Sequence, residues 1–85
     1  MFKICLIDDH IIFRQGLAAL LNSNKGLHVS CDAGSGKRAL ELMNQQTPDL
    51  IIVDISLPDM DGFEVLRLIR SKYPKMKALM LSMHD

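Results

Sequence analysis

Residues 49–62 read DLIIVDISLPDMDG, and the change of character at Asp54 decides the fold. Leu50 to Val53 are uninterrupted apolar residues with no polar alternation, which is the pattern of a strand covered on both faces. Such a strand belongs in the middle of a parallel sheet with helices above and below it. We place it over residues 49–55. Pro58 and Gly62 then break the chain, and Asp61 with Glu64 three positions later forms a capping-box pattern that opens a helix. Val65, Leu66 and Ile69 give that helix an inward stripe, and Pro74 stops it.

The same alternation runs along the rest of the chain with no internal repeat or linker. KICLID (3–8) is a first strand, followed by a helix whose apolar stripe is expected at Phe13, Leu17, Leu20 and Leu21. Gly26 resets the chain before a second strand, LHVSCD (27–32). After Gly34 and Gly36 comes a helix with Ala39, Leu40 and Met43 on one face, ended before Pro48. KALMLS (77–82) is the last strand. The order βαβαβαβ implies parallel pairing with right-handed crossovers, an α/β doubly wound sheet of strand order 2-1-3-4. Loops at the carboxyl ends of the strands collect on one edge, and the topological switch point falls between the first and third strands. Asp8, Asp9 and Asp54 end those two strands, so folding gathers three carboxylates at one place.

Like charges buried together are unfavourable without a partner, and a divalent cation supplies one. An all-oxygen donor set, with no Cys or His at ligand spacing, favours a hard ion that keeps several waters, so magnesium is expected and zinc disfavoured. Asp54 is the best nucleophile of the three, because it opens the loop ISLPDMDG where backbone N–H groups and the ion could hold a phosphate. Duller readings exist for each residue. Asp8 and Asp9 could cap the first helix, Asp54 could be a turn residue and Ser82 an ordinary strand end. Asp59 and Asp61 read as turn and cap residues. His10, beside the acidic pair, reads as a solvated loop histidine. Arg67, Arg70, Lys72, Lys75 and Lys77 read as a solvated face near a helix C-terminus. Cys5 and Cys31 form no CxxC pair and read as two separate, buried, reduced thiols. With 85 residues, 48% of them hydrophobic, and ten basic against ten acidic side chains, the chain is bounded to one small domain with no general attraction to nucleic acid. No apolar run approaches the roughly 20 residues that span a bilayer, and a cytoplasmic location follows by default.

The acidic pair Asp8-Asp9, Asp54 after the third strand, Pro58 and Gly62 beyond it, and Ser82 ending the fourth strand together resemble the receiver domain of bacterial two-component response regulators, along the whole chain. DDHIIFRQGLAALL is further similar to the NarL/FixJ (LuxR-type) subgroup. The resemblance implies a flavodoxin-like (CheY-like) fold and a switch rather than an enzyme. It also implies that Asp54 accepts a phosphoryl group from a sensor histidine kinase, that Asp9, Asp54 and the Ser56 carbonyl bind Mg²⁺ with Asp8 assisting through water, and that Ser82 is the switch hydroxyl. It further implies a fifth strand ending in a phosphate-gripping lysine, two more helices and a DNA-binding output domain, none of which falls within residues 1–85. These residues are therefore expected to be the incomplete, truncated N-terminal part of a receiver domain in a transcription regulator. Lys72, Lys75 and Lys77 fall at the wrong edge to replace the missing lysine. KALMLS should be an exposed edge strand open to a homodimer or strand swap, with no direct nucleic-acid or membrane contact. The alternatives are a pseudo-receiver that only binds partners and a Mg²⁺-dependent phosphohydrolase of the haloacid dehalogenase type. The latter class has a second Asp two positions after its nucleophile, where this chain has Ser56.

Overall fold

The computed structural model describes residues 1–82. Its elements are β1 (Phe2–Ile7), α1 (Ile11–Asn22), β2 (Leu27–Ala33), α2 (Gly36–Met43), β3 (Leu50–Asp54), α3 (Gly62–Lys72) and β4 (Lys77–Leu81). The four strands form one sheet in the order β2-β1-β3-β4, and every pairing is parallel. This is the doubly wound arrangement that the alternating pattern requires, and each strand lies within one residue of its expected bounds.

The sheet separates two apolar layers. On one face Cys5, Ile7, Ile51 and Val53 pack with Ala39 and Met43 of α2 and Val65 and Ile69 of α3. On the other, Ile4, Leu6 and Ile52 meet Leu17, Ala18 and Leu21 of α1. Odd and even positions of β1 and β3 thus point to opposite layers, which explains why neither strand alternates polar with apolar residues. The expected α2 and α3 stripes are found. The α1 stripe is rotated, because Phe13 and Leu20 are exposed at 36% and 63%. Positions 14, 17, 18 and 21 face the sheet at helical spacing, and Arg14 takes the first of them for a polar task described below.

Register positions the functional edge. Ile7 lies opposite Val53, so Asp8 and Asp54, one step further along each strand, emerge side by side. Asp54 lies opposite Leu81, and Ile55 N–H donates to the Leu81 carbonyl at 2.9 Å, so Ser82 leaves the sheet at the same edge. Lys77 pairs with Leu50 at the other end of β3. Lys72 donates to Asn44 Oδ1. These lysines do lie away from the carboxylates, as expected.

The cysteines are not separate, as the sequence led us to expect. Cys5 and Cys31 lie side by side across β1 and β2, with their sulfurs in contact and Cα atoms 4.5 Å apart. The cause is a slip in the β1–β2 ladder. Ile4 pairs with Val29 but Cys5 pairs with Cys31, so Ser30 is passed over and the two cysteines become direct cross-strand neighbours. A one-residue bulge of this kind leaves no mark in the sequence. Among the described residues no helix is long and apolar enough to cross a membrane.

Candidate functional site

The edge where β1 and β3 end collects Asp8, Asp9, His10 and Asp54, each offering a donor atom within 4.8 Å of the others. Asp54 is fully buried and Asp8 is 3% exposed, whereas Asp9 and His10 reach solvent. Asp8 is fixed from both directions. Its N–H donates to the Ala33 carbonyl at 3.0 Å, and its own carbonyl accepts from Arg14 Nη1 at 2.5 Å. Asp54 is oriented by the loop it opens, because the Ser56 N–H donates to its Oδ1 at 3.0 Å.

The oxygens that remain decide what the site can do. Oδ2 of Asp8 and Oδ2 of Asp54 are buried without a hydrogen-bond partner. An ionised oxygen withdrawn from water is costly unless a charge compensates it. His10 supplies part of that compensation: its Nδ1 lies 2.7 Å from Asp8 Oδ1, 3.4 Å from Asp9 Oδ1 and 3.5 Å from Asp54 Oδ2. The hydrogen bond to Asp8, reinforced by the charges of Asp8, Asp9 and Asp54, raises the His10 pKa above its ordinary 6.5. His10 is therefore half inserted into the cluster, not a bystander in a solvated loop. The signal for this was its place directly after the acidic pair, where the chain turns so tightly that the His10 N–H donates to Asp8 Oδ1 at 2.8 Å. Asp8 thus braces the turn before α1, while the N-cap position, His10, makes no side-chain cap. Carboxylate donors with two buried oxygens that lack hydrogen-bond partners fit a divalent cation.

The loop from Asp54 to Gly62 is built by close backbone approach. Gly62 N–H donates to the Ile55 carbonyl at 2.7 Å, and a β-carbon on Gly62 would overlap the Asp54 carbonyl oxygen and come within 2.9 Å of the Ile55 Cα. Asp61 caps α3 through Oδ1, which accepts from the Glu64 N–H at 2.9 Å. The expected reciprocal contact is replaced, since Glu64 pairs with Arg67. Asp59 does more than turn the chain. Its two oxygens accept from the N–H groups of Gly36 and Lys37 at 3.0 and 2.9 Å, so the loop after β3 caps α2.

With that geometry in place, the chain matches the response regulator receiver domain family over residues 4–85. It belongs to that family. The receiver domain is 39% identical over 83 residues to the transcriptional regulatory protein DegU of Brevibacillus brevis, covering 98% of this chain and 35% of that protein. It is 43% identical over 86 residues to the transcriptional regulatory protein UhpA of Escherichia coli K12, covering all of this chain and 42% of that one. The chain therefore spans less than half the length of these curated relatives. Among solved structures, a LuxR-family two-component response regulator from Aurantimonas sp. SI85-9A1 superposes with a TM-score of 0.90 at 34% identity, covering 98% of this chain and 59% of that one. The chain is thus a receiver domain of the LuxR/NarL type. Of the positions that carried the resemblance, Asp8, Asp9 and Asp54 converge and Gly62 shapes the loop beside them, in which Ser56, whose role the resemblance only implies, holds Asp54 Oδ1 through its N–H. Pro58 lies exposed in that loop and Ser82 exposed at its rim.

Proposed function

We propose that this receiver domain takes a phosphoryl group from a sensor histidine kinase onto Asp54, with Mg²⁺ held by Asp9, Asp54 and the Ser56 carbonyl, and Asp8 assisting through water. The observation that carries this reading is the Asp54 side chain, fully buried yet with Oδ2 unpartnered in a cluster of acids. Magnesium, when bound, offsets the charge of three carboxylates, which lets a phosphoryl group approach a carboxylate nucleophile. Asp54 Oδ1, held toward the loop by the Ser56 N–H, forms the new bond to phosphorus. The bond from phosphorus to the donor breaks, and the donor leaves with that electron pair. Arg14 and the Ala33 carbonyl keep the Asp8 backbone in place beneath the acids. Ser82, leaving the sheet beside Asp54, follows the added charge and alters packing beyond β4, which in a cytoplasmic transcription regulator would switch a DNA-binding output domain in the parent protein.

Incubation with acetyl phosphate and Mg²⁺, followed by intact mass spectrometry, tests this. A stoichiometric phosphoryl adduct is expected that is lost in Asp54→Asn. Continuous phosphate release without an adduct would instead mark a phosphohydrolase, and no reaction in the presence of bound Mg²⁺ would mark a pseudo-receiver that only binds partners.

A further inference from the structure

The sequence offered only oxygen ligands for the cation, and the structure adds a nitrogen. His10 Nδ1 sits 2.7, 3.4 and 3.5 Å from one oxygen each of Asp8, Asp9 and Asp54. Two donors bound to the same ion at about 2.1 Å are separated by about 3.0 Å in an octahedral site and about 3.4 Å in a tetrahedral one. The spacings to Asp9 and Asp54 match the edge of a tetrahedral site, with an ion at its centre and the imidazole at one vertex, whereas the 2.7 Å contact with Asp8 is a hydrogen bond that ion binding would lengthen. A buried acid also reaches the cluster from the interior of the fold. Asp54 is fully buried, and its Oδ2, the atom 3.5 Å from His10 Nδ1, has no hydrogen-bond partner.

From this geometry we infer that His10 is a further, nitrogen donor to the cation, and that the site consequently takes divalent transition metals of the Mn²⁺, Co²⁺, Ni²⁺ and Zn²⁺ class more tightly than Mg²⁺. This rests on the reading above that the acids hold a cation, and it concerns only which cation and through which atoms. An imidazole suits the later first-row ions, whose affinity for mixed N/O sites rises toward nickel and copper, whereas Mg²⁺ gains little from nitrogen. His10 is half exposed on the rim, so its ring can move the small distance needed to replace the contact with Asp8 by a bond to the ion. The main chain around it stays anchored, because the Arg14 N–H donates to the His10 carbonyl at 2.9 Å.

Mn²⁺ provides a probe that reports its ligands directly. Pulsed EPR of the Mn²⁺-loaded protein should show ¹⁴N modulation from a directly bound imidazole, and His10→Ala should still bind Mn²⁺ but lose that modulation. His28 and His84 remain in the variant, so adventitious histidine binding elsewhere would leave the signal unchanged and overturn the assignment. Calorimetry should find Ni²⁺ bound more tightly than Mg²⁺ by at least about tenfold, with that ratio falling by about tenfold in His10→Ala and in His10→Gln. Mn²⁺ bound without nitrogen coupling would overturn the inference and leave the acidic cation site standing. Absence of any divalent binding would overturn both.

Discussion

Gly62 at the start of α3 lies against the backbone of Asp54, close enough that a β-carbon there would collide with the Asp54 carbonyl oxygen. The collision is with main chain, which cannot swing aside as a flexible side chain would. Gly62→Ala should therefore displace the β3–α3 loop and destabilise the domain by about 1–3 kcal/mol, the usual cost of overpacking. In a domain of this size about 1 kcal/mol lowers Tm by about 4–8 °C, so circular dichroism melts will resolve it. The phosphoryl adduct on Asp54 should form more slowly as well, because the loop carries the Ser56 N–H that orients its carboxylate.

Asp59 closes the N-terminus of α2 from a different part of the chain. Asp59 takes the Gly36 and Lys37 N–H groups, the Ser35 hydroxyl takes that of Arg38, and the Ser35 carbonyl takes that of Ala39. The N–H groups of the first three helical residues, which have no partner within the helix, are thus satisfied by side chains, and the Ala39 bond is the first intrahelical one. Asp59→Ala should cost about 0.5–2 kcal/mol in urea unfolding at neutral pH, the range for loss of an N-cap. The bond from Lys37 N–H, then that from Gly36, lowers the Asp59 pKa below its ordinary 3.8. A lowered folded-state pKa contributes stability that is present above the unfolded value and lost as pH falls through the folded one. The gap between wild type and Asp59→Ala should accordingly be constant above about pH 5 and shrink as the solution is acidified below 3.8. A gap that grew in acid would refute the cap.

Much of this is legible in the sequence. Asp54 at the end of an unbroken apolar run, with Asp8 and Asp9 ending another, was enough to place three carboxylates at one switch point, because parallel topology allows few alternatives. What the sequence concealed depended on local angles and register. The pairing of Cys5 with Cys31 arises from one skipped residue in a ladder, and the rotation of α1 exposes Phe13 and Leu20 in place of Arg14. The insertion of His10 depends on a tight turn at Asp8, and the Asp59 cap joins residues from different loops, so no spacing rule reaches it.

Arg14 occupies an inward position of α1 that an apolar residue would ordinarily take. Its Nη1 donates to the Asp8 carbonyl, and its Nε lies 3.3 Å from Asp32 Oδ1, linking the ends of β1 and β2 beneath the acids. Arg14→Met keeps much of the volume but leaves the Asp8 carbonyl without its donor, at a cost of about 1–3 kcal/mol. Asp32→Asn removes only a partly exposed ion pair and should cost less than about 1 kcal/mol. Equal losses in the two variants, measured by urea unfolding, would show that the ion pair and not the carbonyl bond is what matters.

The fourth strand is one of the two edges of the sheet, beside β3, and it is apolar: Leu79 is 52% exposed, opposite Ile52 of β3. An unpaired edge with no charge at its centre is a template for another strand, and a lysine there is the usual protection. Light scattering across a concentration series should show this 85-residue chain self-associating, with the association constant of Leu79→Lys lower by at least about tenfold, or about 1.4 kcal/mol. Leu79 contributes little to either apolar layer, so the same variant should unfold within about 0.5 kcal/mol of wild type. That separation is the informative part. A wild type that stays monomeric at every concentration means the edge is already protected by its twist or its neighbours, whereas a variant that loses both association and stability means Leu79 belongs to the core.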